Sequence, residues 1–134
     1  MPVVFTWKVR IYYEDTDAGG IVYYANYLKF FERARTEWLR TMHLQQQDLI
    51  ESHNAMFVVT RATVDYHAPA RLDDEITLRL SIEKLGHVSV EFLQHAHCGD
   101  NLVATGRFKV CCVDSAGVRP IAMPAAVAAR MRGH

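Results

Sequence analysis

The stretch YYEDTDAGGIVYYANYLKFFERARTEWLR, residues 12 to 40, concentrates residue types that could perform acyl-transfer chemistry. Three carboxylates, at Glu14, Asp15 and Asp17, stand shortly before two glycines, Gly19 and Gly20. A carboxylate can act as a nucleophile or as a general base. Glycine adopts backbone angles denied to other residues and lets a substrate approach the main chain closely. The pattern therefore contains the residue types that a reactive turn needs.

The residues after the glycines predict the start of a long helix. From about Asn26 to His43, apolar side chains recur at helical spacing, namely Tyr27, Phe31, Ala34, Trp38 and Met42. A helix start offers amide N–H groups without helical partners and a partial positive charge, which suits a developing oxyanion. A carboxylate beside such a helix start is the minimum equipment for acyl transfer.

A purely structural interpretation of the same residues stays open on the pattern alone. Asp15, Thr16 or Asp17 could cap a turn or the helix, as short polar side chains commonly do. DTDAGG by itself is a weak motif. The tyrosines of the region are good strand and core residues, and aromatic clusters more often pack than line pockets: Tyr12, Tyr13, Tyr23, Tyr24 and Tyr27.

The rest of the chain predicts strands. Residues 4 to 13 alternate apolar and polar, and after a polar connection, QQQDLIESHN, alternation returns four times, separated by turn residues. A short helix could begin at Pro124. One strand, one long helix and four strands indicate an α+β domain, in which the helix packs on one face of a five-stranded antiparallel sheet. The other face is polar, with Thr63, Arg79, Glu91 and Lys109.

Composition excludes several other classes of function. The chain has 134 residues, half of them hydrophobic, and its fifteen basic and fifteen acidic residues balance. We therefore expect a single domain and no nucleic-acid binding. No apolar run approaches the ~18 residues of a membrane span, so we expect no membrane insertion and a cytoplasmic location. Three cysteines without metal-ligand spacing indicate reduced thiols.

The 12–40 stretch closely resembles the signature of the hotdog-fold acyl-CoA thioesterases, particularly the Tol-Pal-associated subfamily and its relative, 4-hydroxybenzoyl-CoA thioesterase. The similarity continues into VDYHAPARLDDEI, residues 64 to 76, and the order of strands fits over nearly the whole chain. The resemblance implies one hotdog thioesterase domain over residues 1–134, with a long central helix wrapped by the sheet. It also implies a homodimer or homotetramer, with the acyl-CoA site at the subunit interface.

The same resemblance implies roles for individual residues. Asp17 is the catalytic nucleophile or general base, and the backbone amide of Tyr24 polarises the thioester carbonyl. No metal or other cofactor is required. The expected substrate-binding residues surround these two and extend along the helix: Tyr13, Gly19, Gly20, Ile21, Val22, Tyr27 and Glu32.

Tyr24 departs from the subfamily pattern, which commonly has histidine in VYHANY. The chain therefore lacks an imidazole beside Asp17, although any residue supplies the backbone amide. Hydroxyl groups of Tyr13 or Tyr24 could orient the carboxylate instead. Glu32 could equally be a solvated helix residue. His95 and His97 share a strand face, but two ligands do not make a metal site.

The sequence thus predicts an acyl-CoA thioesterase acting on a short-chain aliphatic or an aromatic acyl group. The alternative is a non-catalytic module of the same fold that binds acyl-CoA or acyl carrier protein, but binding alone does not require Asp17. A dehydratase of this fold would need a histidine near the helix start, where the chain has none. The sequence does not choose among five basic residues for the CoA phosphates: Arg61, Arg71, Arg79, Arg107 and Lys109.

Overall fold

The computed structural model describes residues 2–133 and contains five strands and three helices. The strands are β1 (Val3–Arg10), β2 (Ala55–Tyr66), β3 (Glu75–Leu85), β4 (Ser89–Cys98) and β5 (Asn101–Asp114). The helices are α1 (Asn26–Thr41), α2 (Gln46–His53) and α3 (Ala125–Arg132). A single 3-10 turn, Tyr13–Asp15, lies between β1 and α1.

All five strands form one antiparallel sheet in the order β1-β3-β4-β5-β2. Alternation places Ile76, Leu78 and Leu80 of β3 in the core, fully buried. On the opposite face Glu91 lies beside Lys109, and Lys109 lies beside Arg61. The predicted α+β class, the five-stranded sheet and its polar outer face are confirmed.

Helix α1 packs across the apolar face of the sheet through the stripe predicted from its spacing. Its Phe31 ring lies 5.4 Å from that of Phe108, and its Trp38 ring lies 5.8 Å from that of Phe92. Gly106 makes this contact possible, because a Cβ there would lie 2.5 Å from the Phe108 ring and 3.1 Å from Phe31. The first half of α1 is thereby fixed over β5.

The first strand is shorter than the alternation predicts. β1 ends at Arg10, whereas the pattern continues to Tyr13. Ile11 is buried and donates its N–H to Asp74, but the next residues turn away into the 3-10 turn. The chain turns there because the Asp15 carboxylate accepts the N–H of Tyr12 at 2.9 Å, a local bond that replaces strand pairing.

The polar connection predicted after α1 is partly wrong, because it contains helix α2. Leu49 is the residue that this short helix buries. α2 ends at Asn54, which adopts the left-handed conformation at φ 51° and leads directly into β2. A single buried leucine gives too weak a periodic signal to predict a helix from sequence.

Strand β2 forms one edge of the sheet and β1 the other. Most of β2 from Val59 onward is exposed, so one side of its backbone is open for pairing. The predicted terminal helix, α3, packs back near the start of β1, where Pro2, Val4, Met131 and Arg132 line one cleft. None of the helices in residues 2–133 has the length and apolarity to cross a membrane.

Candidate active site

Asp17 is the first residue of a tight turn, residues 17–21, between the 3-10 turn and α1. Its main-chain N–H donates to the carbonyl of Ile21, and Gly20 donates back to the Asp17 carbonyl at 3.0 Å. Oδ1 of its carboxylate accepts the Gly19 N–H at 2.8 Å. Within residues 2–133 this is the side chain's single hydrogen bond, so Oδ2 of an exposed carboxylate is left for other chemistry.

The two glycines serve the turn in different ways. Gly20 has φ 76°, in the left-handed region that favours glycine. A Cβ on Gly19 would lie 3.2 Å from Oδ1 of Asp17 and would press on the carboxylate. The sequence therefore needs glycine at the first position for space beside Asp17 and at the second for backbone conformation.

Residues Ile21 and Val22 attach this turn to the segment that follows β2. Val22 donates its N–H to the carbonyl of Ala70 at 2.8 Å, and Ile21 pairs with Arg71 in an isolated bridge. Val22 is buried and Ile21 is partly exposed. The Asp17 turn is thus held between its own flanks and a distant loop, which restricts its movement.

Asp15 has the structural role that the sequence left open for several residues. It is buried, its carboxylate accepts the Tyr12 N–H, and its carbonyl accepts bonds from the Tyr23 N–H and the Asn26 side chain, each at 2.9 Å. These bonds connect the 3-10 turn to the start of α1. Of the two aspartates in DTD, Asp15 therefore has the structural role, and Asp17 is the exposed one.

The amides at the start of α1 are mostly paired, contrary to the sequence expectation of free donors. Asn26, Tyr27 and Leu28 donate to the carbonyls three residues before them, at 2.9 to 3.3 Å. The amides of Tyr24 and Ala25 have no acceptor within the described chain, residues 2–133. The free amide donors of this segment therefore lie just before the helix, and Tyr24 is one of them.

Two tyrosines, Tyr23 and Tyr66, contact Tyr24. The Tyr23 and Tyr24 rings lie 4.9 Å apart, and the Tyr66 hydroxyl donates to the Tyr24 carbonyl at 3.0 Å. The hydrogen bond with Tyr24 raises the pKa of Tyr23, with the charges of Tyr24 and Asp17 and slight desolvation acting in the same direction. The Asp17 carboxylate is thus close enough to Tyr23 to affect its pKa.

The other predicted binding residues are not all at the turn. Tyr13 is the most exposed of the tyrosines, at 82%, and its hydroxyl has no partner within residues 2–133. Tyr27 is buried in the core, where desolvation chiefly raises its pKa to about 12, and its ring lies 5.6 Å from Tyr66. Glu32 is exposed on α1, about two turns beyond Asn26.

Glu32 lies instead at the wall of a cavity beneath the second half of α1. The cavity has a volume of about 200 Å³ and is open at one side. Its polar lining comes from Glu32, Arg35, Thr36 and Gln46. The apolar remainder comes from α1, β2, β4, β5 and α3: Leu39, Phe57, Val59, Val90, Phe92, Val110 and Met131.

The histidines and most basic candidates lie on the outer face of the sheet. The His95 and His97 rings are 6.2 Å apart, and His67 bonds to Thr105 at 3.0 Å. In residues 2–133 no group of three or more His, Cys, Asp or Glu is placed to hold a metal ion. Arg71 differs from the other basic candidates, because its backbone is bridged to the Asp17 turn.

From the sequence, Tyr23 was considered only as a residue that could trim the acyl pocket, and Tyr66 was given no site role. Tyr23 lies within the stretch of residues 12 to 40, so its short separation from Asp17 in the sequence could have indicated a role beside that carboxylate. Tyr66 approaches Tyr24 from forty-two residues away, and its only sequence signal was an aromatic residue at the end of a strand. Contacts of that kind depend on the folded arrangement of β2 and α1.

Comparison with known proteins gives a family for this arrangement. Residues 11–131 match the model of the thioesterase-like superfamily. The chain is 45% identical to the acyl-CoA thioester hydrolase YbgC of Escherichia coli O6:H1 over 130 residues, 96% of each chain. It is 42% identical to the acyl-CoA thioesterase YbgC of Haemophilus influenzae over 125 residues, 93% of this chain and 92% of the relative.

Solved structures agree with this assignment. A probable thioesterase from Bartonella henselae is 28% identical and superposes with a TM-score of 0.84, covering 89% of this chain and 98% of the other. A 1,4-dihydroxy-2-naphthoyl-CoA thioesterase from Synechocystis, 23% identical, has the same hotdog fold with a TM-score of 0.87, over 97% and 98% of the two chains. The chain therefore belongs to the thioesterase-like superfamily and, within it, to the YbgC-type acyl-CoA thioesterases.

Proposed function

We propose that the chain hydrolyses the thioester of an acyl-CoA, with Asp17 as the reacting carboxylate. The observation that carries this proposal is an exposed Asp17 side chain and an unpaired Tyr24 amide, seven residues apart in the segment that leads into α1. A thioester carbonyl placed between them would meet a base or nucleophile and a hydrogen-bond donor together. The similarity to acyl-CoA thioesterases supports the same substrate class.

Two routes fit this arrangement. In the general-base route, Asp17 takes a proton from water, the water oxygen bonds to the carbonyl carbon, and the carbonyl oxygen accepts the Tyr24 N–H. In the nucleophilic route, Asp17 itself bonds to that carbon, and water then hydrolyses the mixed anhydride. In both, the carbon–sulfur bond breaks and CoA leaves as a thiolate that takes up a proton. Neither route draws on a metal or a cofactor.

A test of Asp17 is the variant Asp17→Asn. The amide oxygen can still accept the Gly19 N–H, so the turn and the thermal stability should change little. Loss of the negative charge should lower acyl-CoA hydrolysis by about two to four orders of magnitude. Asp100→Asn, in the exposed turn between β4 and β5, is a matched control with expected full activity. Near-normal turnover by Asp17→Asn would return Asp17 to a structural role.

Isotope labelling detects the nucleophilic route when water opens the mixed anhydride at the Asp17 carboxyl carbon. In a single turnover in ¹⁸O-water with enzyme in excess, the new oxygen of the product then comes from Asp17 rather than from water. Repeated turnovers would then label the Asp17 carboxylate, which mass spectrometry of the peptide detects. In the general-base route the product takes its label from water in the first turnover and Asp17 stays unlabelled.

We further propose that two copies join at their β2 edges to form a homodimer, which is the functional unit. This homodimer is either the whole assembly or half of a homotetramer. The open side of β2 is twelve residues long, and an antiparallel pairing of two copies would continue the sheet. Tyr66 and the Asp17 turn lie toward one end of β2, and Phe57 and Val59 toward the other. A two-fold axis near the middle of β2 would therefore place the Asp17 turn beside the partner's cavity.

We propose CoA as the carrier, with acyl carrier protein as the alternative, and an acyl group that is short and aliphatic or aromatic. From the family resemblance we also propose an association with the Tol-Pal system. The cytoplasmic location is a proposal from the composition of the sequence. Assays of purified protein against acyl-CoA and acyl carrier protein thioesters, with chains of matched length, would separate the two carriers.

A further inference from the structure

The outer face of the sheet carries a compact group of polar and basic side chains between β3 and β4. Arg79 lies directly opposite His95, and Thr77 lies directly opposite His97. Such opposite residues have Cα atoms about 4.5 to 5.5 Å apart, and residues two apart on one strand are separated by roughly 7 Å. The His95 and His97 rings are 6.2 Å apart. These four residues, the Arg79 cluster, therefore form the corners of a small square.

Two members of the Arg79 cluster have polar groups that the chain does not pair. The half-buried Arg79 forms neither an ion pair nor a side-chain hydrogen bond within residues 2–133, although a guanidinium has five N–H donors. Nδ1 of His97 is buried and also lacks a hydrogen-bond partner in the described chain. Unpaired polar groups away from water cost free energy, so a bound acceptor at this place would be favourable.

The carboxylates of β3 do not neutralise the Arg79 cluster. Glu75 lies 3.7 Å from Lys8 and 3.3 Å from Arg10. Glu83 lies 3.6 Å from Arg107. Both acids of this strand thus have cation partners other than the guanidinium of the cluster.

The other charged groups of the outer face leave the cluster in a positive environment. Asp65 lies two strands from His95, roughly 10 Å away, which is about one Debye length. The Asp100 charge acts on His97, against those of Arg79 and His95. Three further cations or histidines and one acid beside a lysine complete this face: Arg61, His67, Lys84, and Glu91 beside Lys109.

The two histidines respond to this environment. Burial is the main cause that lowers the pKa of His95, and the charges of Arg107, Arg79 and His67 lower it further. Burial also leads the causes that lower the pKa of His97. Both rings are therefore mostly neutral at pH 7 in the free protein. A bound anion would favour their protonated forms and raise both pKa values.

We propose that the Arg79 cluster binds the phosphate group of a phosphate monoester. Such a group carries about −1.5 to −2 charges at pH 7 and has three strong acceptor oxygens. A guanidinium can bind two of these oxygens at once, and two imidazoles and the Thr77 hydroxyl supply the remaining donors. The site lies on the face of the sheet opposite α1, so it goes beyond the proposed thioesterase function and does not depend on it.

The experiment titrates the protein with methyl phosphate in chloride buffer and follows the histidine ring signals by NMR. The His95 and His97 signals should shift saturably, with a Kd of about 1 mM. Since binding favours the protonated rings, affinity should increase as the pH falls from about 8 to about 6.5. Methyl sulfate has the same shape and a single charge, so it should bind about tenfold more weakly. Equal affinity for the two esters, or no saturable shift at tens of millimolar methyl phosphate, overturns the inference.

Variants then test the assigned residues. Arg79→Gln should weaken methyl phosphate binding about tenfold or more, at nearly unchanged melting temperature because Arg79 has no partner within residues 2–133. Arg61→Gln, at an exposed arginine of the same face, makes the same change in net charge and should alter the Kd less than about twofold. The double variant His95→Gln and His97→Gln should bind at pH 8 but lose the gain at lower pH. Unchanged binding in Arg79→Gln, or an equal loss in Arg61→Gln, contradicts the assignment.

Vesicles distinguish a soluble phosphate monoester from a lipid headgroup of the same chemistry. Methyl phosphate binding without sedimentation on vesicles of phosphatidic acid and phosphatidylcholine identifies a soluble ligand. Sedimentation that Arg79→Gln abolishes identifies a lipid headgroup at the same site. Binding to neither probe overturns the inference, as does vesicle binding that Arg79→Gln leaves unchanged.

Discussion

The hydroxyl of Tyr66 donates to the main-chain carbonyl of Tyr24 at 3.0 Å, which connects the end of edge strand β2 to a residue whose amide is unpaired within residues 2–133. The Tyr66 ring also lies 6.1 Å from that of Tyr24 and 5.6 Å from that of Tyr27. One side chain thus joins the Tyr24 peptide to the edge strand β2.

Tyr66→Phe should lower kcat, with only a small loss of thermal stability. The ring and its packing remain, but the bond that fixes the Tyr24 peptide is lost, at a cost of about 1 kcal/mol. We expect kcat to fall about threefold to tenfold, with KM nearly unchanged. Steady-state kinetics and thermal unfolding measure the two effects. Tyr12→Phe, on an exposed tyrosine outside this cluster, should change neither.

Tyr24 should act mainly through its backbone. Tyr24→His keeps the amide and adds a base near Asp17, so the fold should persist and activity should equal or exceed that of the wild type. Tyr24→Phe should cost little activity. Loss of turnover in the phenylalanine variant that histidine does not restore would show that the Tyr24 hydroxyl takes part in the reaction.

The two glycines of the turn should respond differently to alanine. Gly20→Ala forces an L-residue to φ 76° and should destabilise the fold by about 1 kcal/mol. Gly99→Ala imposes the same type of strain at φ 61°, away from the turn, and should cost similar stability but leave activity intact. Gly19→Ala, which presses on Oδ1 of Asp17, should reduce kcat with little change in melting temperature. Equal activity losses at Gly19 and Gly99 would contradict this.

Stability should fall as the pH drops below the ordinary histidine pKa of 6.5. Burial is the main cause that lowers the pKa of His95, with Arg107, Arg79 and His67 adding to it. Burial, then Arg79 and His95, lower the pKa of His97 against the opposing charge of Asp100. Because the folded state disfavours their protonation, their contribution is complete above pH 6.5 and is lost as the pH falls through the lowered values.

Thermal unfolding between pH 5 and 8 measures this effect. The double variant His95→Gln and His97→Gln should flatten the dependence, and added salt should weaken it because the arginine charges are screened. His53→Gln, on exposed α2, is the control and should keep the wild-type slope. If the double variant keeps the wild-type slope, the pH dependence of stability comes from other groups.

The β2 edge should decide the oligomeric state. Val59 on β2 and Val3 on β1 are both exposed, at 48% and 49%, and both lie on edge strands. Lysine at Val59 would place charges against each other across a two-fold axis, so Val59→Lys should dissociate the dimer and lower activity. Val3→Lys should do neither. Sedimentation velocity gives the mass, and a wild-type monomer with full activity would contradict the proposal.

The basic side chain that contacts the CoA phosphates should be Arg71. Of the five candidates, Arg71 is the one bridged to the Asp17 turn, while Arg107 lies on the outer face and pairs with Glu83 at 3.6 Å. Arg71→Ala should raise KM for acyl-CoA roughly fivefold, about 1 kcal/mol. The KM for an acyl-N-acetylcysteamine thioester, which lacks the phosphates, should stay the same. Arg107→Ala should affect neither substrate.

Much of the fold could be predicted because its signals are local and repeated. Phe31 and Trp38 stand at helical spacing and both pack on the sheet, and Ile76, Leu78 and Leu80 alternate into the core. Helix α2 was not predicted because it buries one leucine, which cannot show the helical spacing of apolar residues. The end of β1 was misplaced because a local bond from Tyr12 to Asp15 outweighed continued alternation.

The candidate site was predictable only in part. The Asp17 turn is a continuous stretch of sequence, so its carboxylate and glycines stand out together. The Tyr66 hydrogen bond to Tyr24 and the Arg35 hydrogen bond to Gln94 join residues forty-two and fifty-nine positions apart. No pattern in a single sequence places such side chains next to each other, because their distance is set by how α1 lies on the sheet.

The cleft shared by Pro2, Val4, Met131 and Arg132 brings the two ends of the described chain into one neighbourhood. A circular permutant is therefore feasible, because a short glycine-rich peptide could join those ends without crossing the sheet. New ends opened between Gly99 and Asp100, in an exposed turn, would leave the Asp17 turn and the β2 edge intact. Such a rearranged chain would be synthesised in a different order of elements but would have the same architecture as the enzyme.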